Sequence, residues 1–355
     1  MTTSLRGHAP LISSPAMRLL PAVLCWLVAA PAIAADITVT ATPVPLDSRD
    51  PQRTRVEALD YVAGFALDST APEWGGYSGM VLAADGGSLL AVSDVGHWLR
   101  LELTHDATGA LTGVGAARIE PLLDEAGKPV TDKEWSDAEE VALASDGHLL
   151  VSFERRHRIW RYAAAGGLPA GPALPVPAPD GIQSLPENAG IEGMIADAAG
   201  NLTIVAEGAP SGATESRGWT WSARANRWSE FAIERSDGFE PTALALLPSP
   251  QPAAGEKVDH SLTLLLERRY TEADGPAARI SVLFPSIISY RIASFTLATL
   301  RLPLSVDNFE CLAVRPAGDG QTFVYILSDD NQSDKQRTLL LQFRARLLPF
   351  QTRAD

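Results

Sequence analysis

Short apolar runs separated by polar turns fill this chain, and one pattern of positions returns five times. A small polar or acidic residue opens an apolar strand, a turn follows, and a second apolar strand closes on an acid, as in Tyr77 to Leu82 and Leu90 to Asp94. The openers stand 61, 53, 48 and 70 residues apart: Ser78, Glu139, Glu192, Glu240 and Glu310. A repeat of this length is typical of propeller blades with variable outer loops.

The turns of the first three copies predict hairpins. They contain Asp85-Gly86, Asp146-Gly147 and Gly200-Asn201, and such pairs supply the positive φ that two-residue hairpin loops need. The first two strands of each copy are then antiparallel neighbours. The opener and the closing acid therefore lie side by side at one end of the blade.

The pattern predicts an all-β protein, a β-propeller with five readable blades. A sixth blade stays open, because 280–284 and 287–292 are both strand-like within the longest interval. Residues 168–179 are rich in proline and predict a surface loop rather than a paired strand. The remaining apolar runs are expected to be third strands at 98–103, 159–162, 219–221 and 339–343, fourth strands at 114–119, 228–233 and 294–300, and a closing strand within 56–67.

The N-terminus predicts a secretory signal peptide over residues 1–34, with Met17 as an alternative true start. Arg18 precedes an apolar run of about ten residues, and Ala32-Ile33-Ala34 has the small residues of a cleavage site. The mature chain then has an extended segment at 35–55, a propeller domain at 56–349, and no membrane span. Export would deliver it to the periplasm or the medium.

Charge limits the partners of the chain. Cleavage after Ala34 removes Arg6 and Arg18 and no acid, so the formal net charge of −14 becomes −16. A protein this acidic is a poor candidate for nucleic acid. Cleavage also leaves a single cysteine, Cys311, for which a buried inert thiol is expected. The sequence does not indicate the oligomeric state.

Recurring acids near a common axis repel one another unless a cation offsets them. Carboxylate and carbonyl oxygens bind hard cations, so the sequence predicts a site for a cation or a cationic ligand at one mouth of the propeller channel. An alternative is that the acids are solubilising charges at the blade edges. The candidate metal ligands are Glu139, Glu192, Glu240 and Glu310, with a second group in Asp329, Asp330 and Asn331.

Substrate-binding candidates follow from the closing positions. The same Glu-Arg dipeptide occurs in two blades, as Glu154-Arg155 and Glu267-Arg268. Each arginine could pair with the acid or bind an anionic ligand. Two histidines, His97 and His157, fall three residues past a closing acid and are weak candidates for a general base. The closing acids are Asp94, Glu154, Glu207 and Glu267.

Several of these segments resemble the phytase-like domain family, also described as esterase-like activity of phytase, over Val56 to Phe343. They are Asp137-Ala138-Glu139-Glu140, Ile191-Glu192-Gly193-Met194, Leu266-Glu267-Arg268-Arg269, Asn308-Phe309-Glu310 and Leu327-Ser328-Asp329-Asp330-Asn331. The resemblance implies a propeller related to β-propeller phytases, which use calcium in an acidic channel mouth to bind phosphate esters.

Two functions are consistent with these features. One is an exported, metal-dependent hydrolase of a small anionic phosphate ester or another ester, with a carboxylate-held cation that positions the reacting groups. The other is a non-catalytic propeller module whose acidic mouth holds a structural cation.

Overall fold

The computed structural model of the chain describes Met1 and residues 34–165, 168–207, 214–247, 262–285, 291–317 and 320–345. The predicted signal peptide and its cleavage site lie outside these residues, apart from Met1 and Ala34. Within the described ranges the chain is almost entirely β-structure, with a four-residue helix α1 (Lys133–Ser136) and a 3₁₀ turn at Ile182–Ser184. None of the described helices could cross a bilayer.

Twenty-three strands are described in chain order. The N-terminal strands are β1 (Ala35–Ile37), β2 (Thr40–Pro43), β3 (Arg55–Val56) and β4 (Leu59–Asp68). The next eight are β5 (Tyr77–Leu82), β6 (Ser88–Ser93), β7 (His97–His105), β8 (Leu111–Pro121), β9 (Ala138–Leu143), β10 (Leu149–Phe153), β11 (Arg158–Ala165) and β12 (Leu168–Val176). The last eleven are β13 (Ile191–Ala196), β14 (Leu202–Ala206), β15 (Glu215–Ser222), β16 (Arg227–Glu234), β17 (Glu240–Leu246), β18 (Thr263–Thr271), β19 (Gly275–Pro285), β20 (Arg291–Arg301), β21 (Asn308–Pro316), β22 (Thr322–Asp329) and β23 (Thr338–Ala345).

These strands form a five-bladed β-propeller. Strands β5, β9, β13, β17 and β21 each begin a run of four antiparallel neighbours, and these runs are blades one to five. The outermost strands of blades three and four, β16 and β20, pair in parallel and join these two blades into one eight-stranded sheet. Each of these innermost strands packs against the innermost strands of the blades before and after it, so the five close into a ring. The described residues leave no place for a sixth blade, because 280–284 lies in β19 and Ile292 lies in β20, the third and fourth strands of blade four.

Both ends of the described chain close the ring in blade five. Strands β21, β22 and β23 come from the C-terminal part, and β4 from the N-terminal part supplies the fourth strand, with Leu339 opposite Ala66. The predicted closing strand at 56–67 is thus confirmed. The predicted third and fourth strands are confirmed as well, as β7, β11, β15 and β23 and as β8, β16 and β20.

The hydrophobic core consists of five clusters, one between each pair of neighbouring blades. Blades five and one share the cluster that contains Cys311, Tyr77 and Phe323, for example. Cys311 is fully buried, and its Sγ lies 3.4 Å from the carbonyl oxygen of Tyr77. Burial raises the pKa of this thiol well above its ordinary value, as expected for an inert cysteine.

Two local predictions need correction. The first hairpin turns do have positive φ at Gly86, Gly147 and Gly200. These loops are longer than two residues, however. In blade three, for example, the backbone N–H of Asp197 donates to the carbonyl of Asn201 and closes a three-residue loop. Glycine at the left-handed position ends such a loop without strain.

The proline-rich segment is the second correction. Residues 168–176 form β12 and pair with β11, with Pro175 opposite Trp160 and Pro169 opposite Ala164. Strand β12 is the outermost strand of blade two, and an edge strand tolerates proline because one row of its N–H groups has no partner strand.

Candidate functional site

Each innermost strand carries a β-bulge near its start. In blade one Tyr77 pairs with Ser93 and Gly79 with Val92, which leaves Ser78 as the extra residue. Bulges increase the local twist and redirect a side chain. The same step in the register occurs in all five blades, and the bulged residues are Ser78, Glu139, Glu192, Thr242 and Glu310.

The bulges correct the alignment of blade four. Thr242 occupies the position that Glu192 and Glu310 occupy in their blades, whereas Glu240 lies two residues earlier. The Thr242 hydroxyl donates to the backbone carbonyl of Phe309 at 3.2 Å. The Glu240 carboxylate accepts a hydrogen bond from Arg235, and its side chain is 44% exposed.

The closing positions need the same correction. In the second strand of each blade, one residue stands opposite the position two residues before the bulged residue. These second-strand residues are Asp94, Glu154, Glu207, Arg268 and Asp329, opposite Gly76, Asp137, Gly190, Glu240 and Asn308. Blade four therefore has an arginine where the other four blades have an acid. Glu267 is one residue earlier, on the other side of the strand, and accepts two hydrogen bonds from Arg279, of 2.6 and 2.7 Å.

Apart from Thr242, the bulged and closing side chains converge on one cavity of about 150 Å³, which we call the acidic mouth. Every lining residue is polar or charged, with eight acids against two cations. The lining is Ser78, Asp94, Lys133, Asp137, Glu139, Glu154, Asn188, Glu192, Glu207, Arg268, Glu310, Asp329 and Asn331.

Three acids of the mouth have the spacing of metal ligands. One carboxylate oxygen each from Asp137, Glu139 and Glu154 lie within 4.8 Å of one another, and we call these residues the acidic trio. Both oxygens of Asp137 already accept hydrogen bonds, one from Lys133 Nζ at 2.5 Å and one from Arg155 Nε at 2.5 Å. Arg155 adopts φ +56° and reaches the trio from outside the mouth.

Burial and mutual repulsion make the acids of the mouth difficult to ionise. Burial, followed by the charge of Glu192, raises the pKa of Glu139 well above its usual range. Burial and the neighbouring charge of Glu207 do the same to Glu192. The pKa of Glu154 is raised to about 8 by burial and Asp137, and that of Asp329 to about 9 by burial and Glu310. The metal-free mouth therefore favours protons or another source of positive charge.

Arg268 supplies part of that charge on the side of the mouth formed by blades three and five. Its guanidinium donates to Glu207 at 2.9 Å, to Asn308 at 2.7 Å, and pairs with Glu310 at 2.8 Å. Burial opposes the charge of the guanidinium. The neighbouring carboxylates nevertheless raise the pKa of Arg268 above its ordinary value, and they are those of Glu310, Glu207 and Glu192. The acidic trio lies in blade two and its entry segment, where no arginine lines the mouth among the described residues.

The structure brings nine of the predicted site residues together and leaves six outside. Those in the mouth are Asp94, Glu139, Glu154, Glu192, Glu207, Arg268, Glu310, Asp329 and Asn331. Those that do not line it are Glu240, Glu267, Asp330, Arg155, His97 and His157.

The residues outside the mouth have other partners. Asp330 accepts hydrogen bonds from the backbone N–H of Gly76 and the hydroxyl of Thr338. His157 is buried with Nε2 3.1 Å from the carbonyl of Pro186, and burial lowers its pKa. Burial lowers the pKa of His97 too. The suggested catalytic role of the histidines stays a prediction that this geometry does not support.

Sequence analysis missed four residues of the mouth: Ser78 as a lining residue, Lys133, Asp137 and Asn188. Lys133 lies on α1, in the connection between blades one and two, and Asn188 lies in the loop before β13. Such connections do not repeat, so the blade pattern contains no signal for them. Asp137 could have been found from the repeat. It stands two residues before the bulged Glu139, and the polar residue Asn308 stands two residues before the bulged Glu310 in blade five.

The donor set of the mouth fits a hard divalent cation. Carboxylate and amide oxygens are the ligands that calcium and magnesium take, whereas zinc prefers cysteine and histidine. No histidine or cysteine lines the mouth in the described part of the chain. The trio supplies three carboxylates, and one oxygen of the nearby Asp94 is buried without a hydrogen-bond partner.

Fold and site together define a β-propeller with an acidic channel mouth. A family model described as "Phytase-like: Esterase-like activity of phytase" matches residues 72–332, which is well over half of the chain. The protein belongs to this phytase-like family. No curated protein matches the chain.

Comparison with solved structures gives distant likenesses. A provisional gluconolactonase has 16% identity over 86% of this chain and 93% of its own, with a TM-score of 0.40. A luciferin-regenerating enzyme has 12% identity over 86% of this chain and 96% of its own, with a TM-score of 0.38. Virginiamycin B lyase from Staphylococcus aureus has 11% identity over 87% of this chain and 100% of its own, with a TM-score of 0.37. These scores are low, and the fold assignment rests on the strand pairing described above.

Proposed function

We propose that this protein is an exported, calcium-dependent hydrolase of phosphate or other esters, and that the acidic mouth is its active site. The observation that carries the proposal is the acidic trio, three carboxylates within 4.8 Å inside a cavity with eight acids and two cations. Membership of the phytase-like family supports a hydrolytic activity.

The residues of the mouth divide into two groups by charge. Asp137, Glu139 and Glu154 would hold the cation, which supplies positive charge that polarises an ester oxygen and acidifies a water molecule. Glu192 and Asp329 have raised pKa values in the metal-free mouth. The charge of a bound cation would lower these pKa values, so that either carboxylate could accept a proton from that water. Carboxylates of raised pKa suit this role, because a general base works best near the ambient pH.

The anionic part of a substrate would lie near Arg268 and Lys133. Arg268 is held in place by Glu207, Asn308 and Glu310, and Lys133 Nζ lies 2.7 Å from Asp94. These cations face the same cavity as the trio. A phosphate or carboxylate between them and a bound cation would be neutralised from both sides. Arg155 would act by orienting Asp137.

A specific observation also favours the second function, a binding module that uses the cation for stability alone. The guanidinium of Arg268 is already engaged by three side chains, and a substrate would have to compete with them. In this case the cation would neutralise the acids and fix the ring of blades, without turnover.

The deciding experiment is a screen of phosphate and carboxylate esters with the mature protein, with and without a chelator. The hydrolase predicts turnover that is lost on chelation and restored by calcium. It also predicts that Glu139→Gln and Glu154→Gln abolish turnover, while Glu240→Gln, a change outside the mouth, retains it. Calcium binding without turnover on any ester would favour the module.

The export part of the proposal rests on the N-terminal sequence alone. A basic residue, an apolar run and Ala32-Ile33-Ala34 are the parts of a signal peptide. A calcium site of modest affinity would suit such a location, since extracellular calcium is abundant. Fractionation of expressing cells would test it, because the cleaved protein should leave the cytoplasm.

A further inference from the structure

Glu140, the neighbour of Glu139, is a buried acid with a position of its own. It is 1% exposed and follows the bulge of β9. The equivalent residues in the other four blades are small, namely Gly79, Gly193, Ala243 and Cys311. Blade two is therefore the only blade that places a long side chain at this level of the ring, among residues that the structure describes.

The Glu140 carboxylate lies on the axis of the ring. Its Oε1 accepts a hydrogen bond of 2.8 Å from the backbone N–H of Val141. Burial raises the pKa of Glu140 well above its usual range, and the backbone N–H groups of Val141, Leu244 and Met80 near the carboxyl group oppose that rise. Val141, Met80 and Leu244 are equivalent residues of blades two, one and four. Blades two and four are not neighbours, so only a group at the centre of the ring can reach both.

The space on the axis is matched to this side chain. A Cβ atom on Gly79 would lie 2.6 Å from Glu140 Oε1 and from its Cα, closer than real Cβ contacts. The second oxygen, Oε2, is buried and has no hydrogen-bond partner. Backbone N–H groups that converge on one point form an anion site, and here a carboxylate of the chain itself fills it.

We propose that Glu140 is a positioning residue: its carboxylate occupies an axial anion site built from equivalent backbone N–H groups of three blades, and so fixes the position of its neighbour Glu139 in the acidic trio. The site would accept a small carboxylate such as acetate when the side chain is removed. Its effect on the trio rests on the proposed cation binding, whereas the anion site itself does not.

The test is chemical rescue of Glu140→Ala, which removes the two carbon atoms and two oxygens that acetate would replace. The variant should melt about 5 °C below the wild type, because buried N–H groups lose their acceptor. It should bind calcium at least about tenfold more weakly, as expected when the support of a ligand is lost. Acetate should restore both properties, relative to chloride at equal ionic strength.

Two further variants make the result specific. Glu272→Ala removes the same charge from an exposed turn and should show neither effect. If Glu140→Ala does not fold, Glu140→Gln keeps the shape and one acceptor oxygen; it should fold, bind calcium more weakly and gain nothing from acetate.

The outcomes separate the two proposals. Wild-type calcium affinity in Glu140→Ala or Glu140→Gln would overturn the positioning role, and a Glu140→Ala melting temperature unmoved by acetate would overturn the anion site. A wild type that binds no calcium refutes the cation site of the proposed function instead. Acetate rescue of the melting temperature would still support the anion site in that case.

Discussion

The metal-free protein should lose stability as the pH rises from 7 to 9. Glu154 and Asp329 have pKa values of about 8 and about 9 in the folded chain, far above those of unfolded carboxyl groups. Above pH 7 both are ionised in the unfolded chain, whereas the folded chain still binds their protons. The unfolded state then binds fewer protons than the folded state, so the free energy of unfolding falls with pH.

The size of this effect follows from the two pKa values. Between pH 7 and pH 9, ionisation of Glu154 lowers the free energy of unfolding by about 1.4 kcal/mol, and ionisation of Asp329 lowers it by about 2.3 kcal/mol. Water at the open mouth screens both charges, so we expect about 2 kcal/mol together. For about 310 residues at about 2.1 cal/mol/K per residue, the melting temperature should fall by ~3 °C. His97 and His157 contribute little, since burial lowers their pKa values in the folded state and an unfolded histidine is mostly neutral above pH 7.

The assay is thermal unfolding at several pH values in the presence of a chelator. Glu154→Gln should reduce the slope, because it removes one of the two titrating carboxyls, and saturating calcium should flatten it. Glu240→Gln, whose parent side chain lies outside the mouth, should leave the slope unchanged. A melting temperature that is constant or rises from pH 7 to 9 would refute the reasoning about the buried acids.

Four other expectations concern the mouth and the N-terminus. Saturation with calcium at a hundredfold excess over Kd should stabilise the fold by about 2.7 kcal/mol, and calorimetric melting of Glu192→Gln should show a smaller gain with no loss of metal-free stability. Glu310→Gln should also weaken the calcium response but should lower metal-free stability by about 1 kcal/mol, because Arg268 loses an ion pair. Arg268→Gln should destabilise the metal-free protein and enlarge its response to calcium, since Glu207 and Glu310 lose their internal cation; an equal response in the two proteins would argue against this. N-terminal sequencing of exported protein should find Ala35 first, and an intact Met1 or Met17 would contradict cleavage.

The sequence predicted the fold because the propeller repeats the same physical problem in each blade. Every innermost hairpin needs two apolar strands and a turn with positive φ, and these features recur at a readable period. The closing strand in blade five was predicted for the same reason, since the apolar run of β4 had no other partner. The proline-rich β12 was not predicted, because the rule that proline interrupts strands does not apply to an outer edge.

The candidate site was predicted less completely, for reasons of register. A strand places alternate residues on opposite faces, so an error of one residue moves a side chain out of the site. Glu267 was chosen as a closing acid and Arg268 as its neighbour, but the pairing puts Arg268 in the mouth and Glu267 in the blade. Glu240 is displaced by two residues because the Phe-Glu pair at 239–240 resembles the pair at 309–310, whereas the strand pairing places Thr242 at the position of Glu310. Lys133 was missed because it belongs to an irregular connection.

The central claim is that the acidic mouth binds a divalent cation through the acidic trio. Isothermal titration calorimetry of calcium into metal-stripped mature protein tests it most directly. The account predicts saturable binding by the wild type, binding weakened at least about tenfold in Glu139→Gln and Glu154→Gln, and wild-type affinity in Glu240→Gln. A wild type that binds no calcium, or trio variants that bind it as tightly as the wild type, would contradict the account.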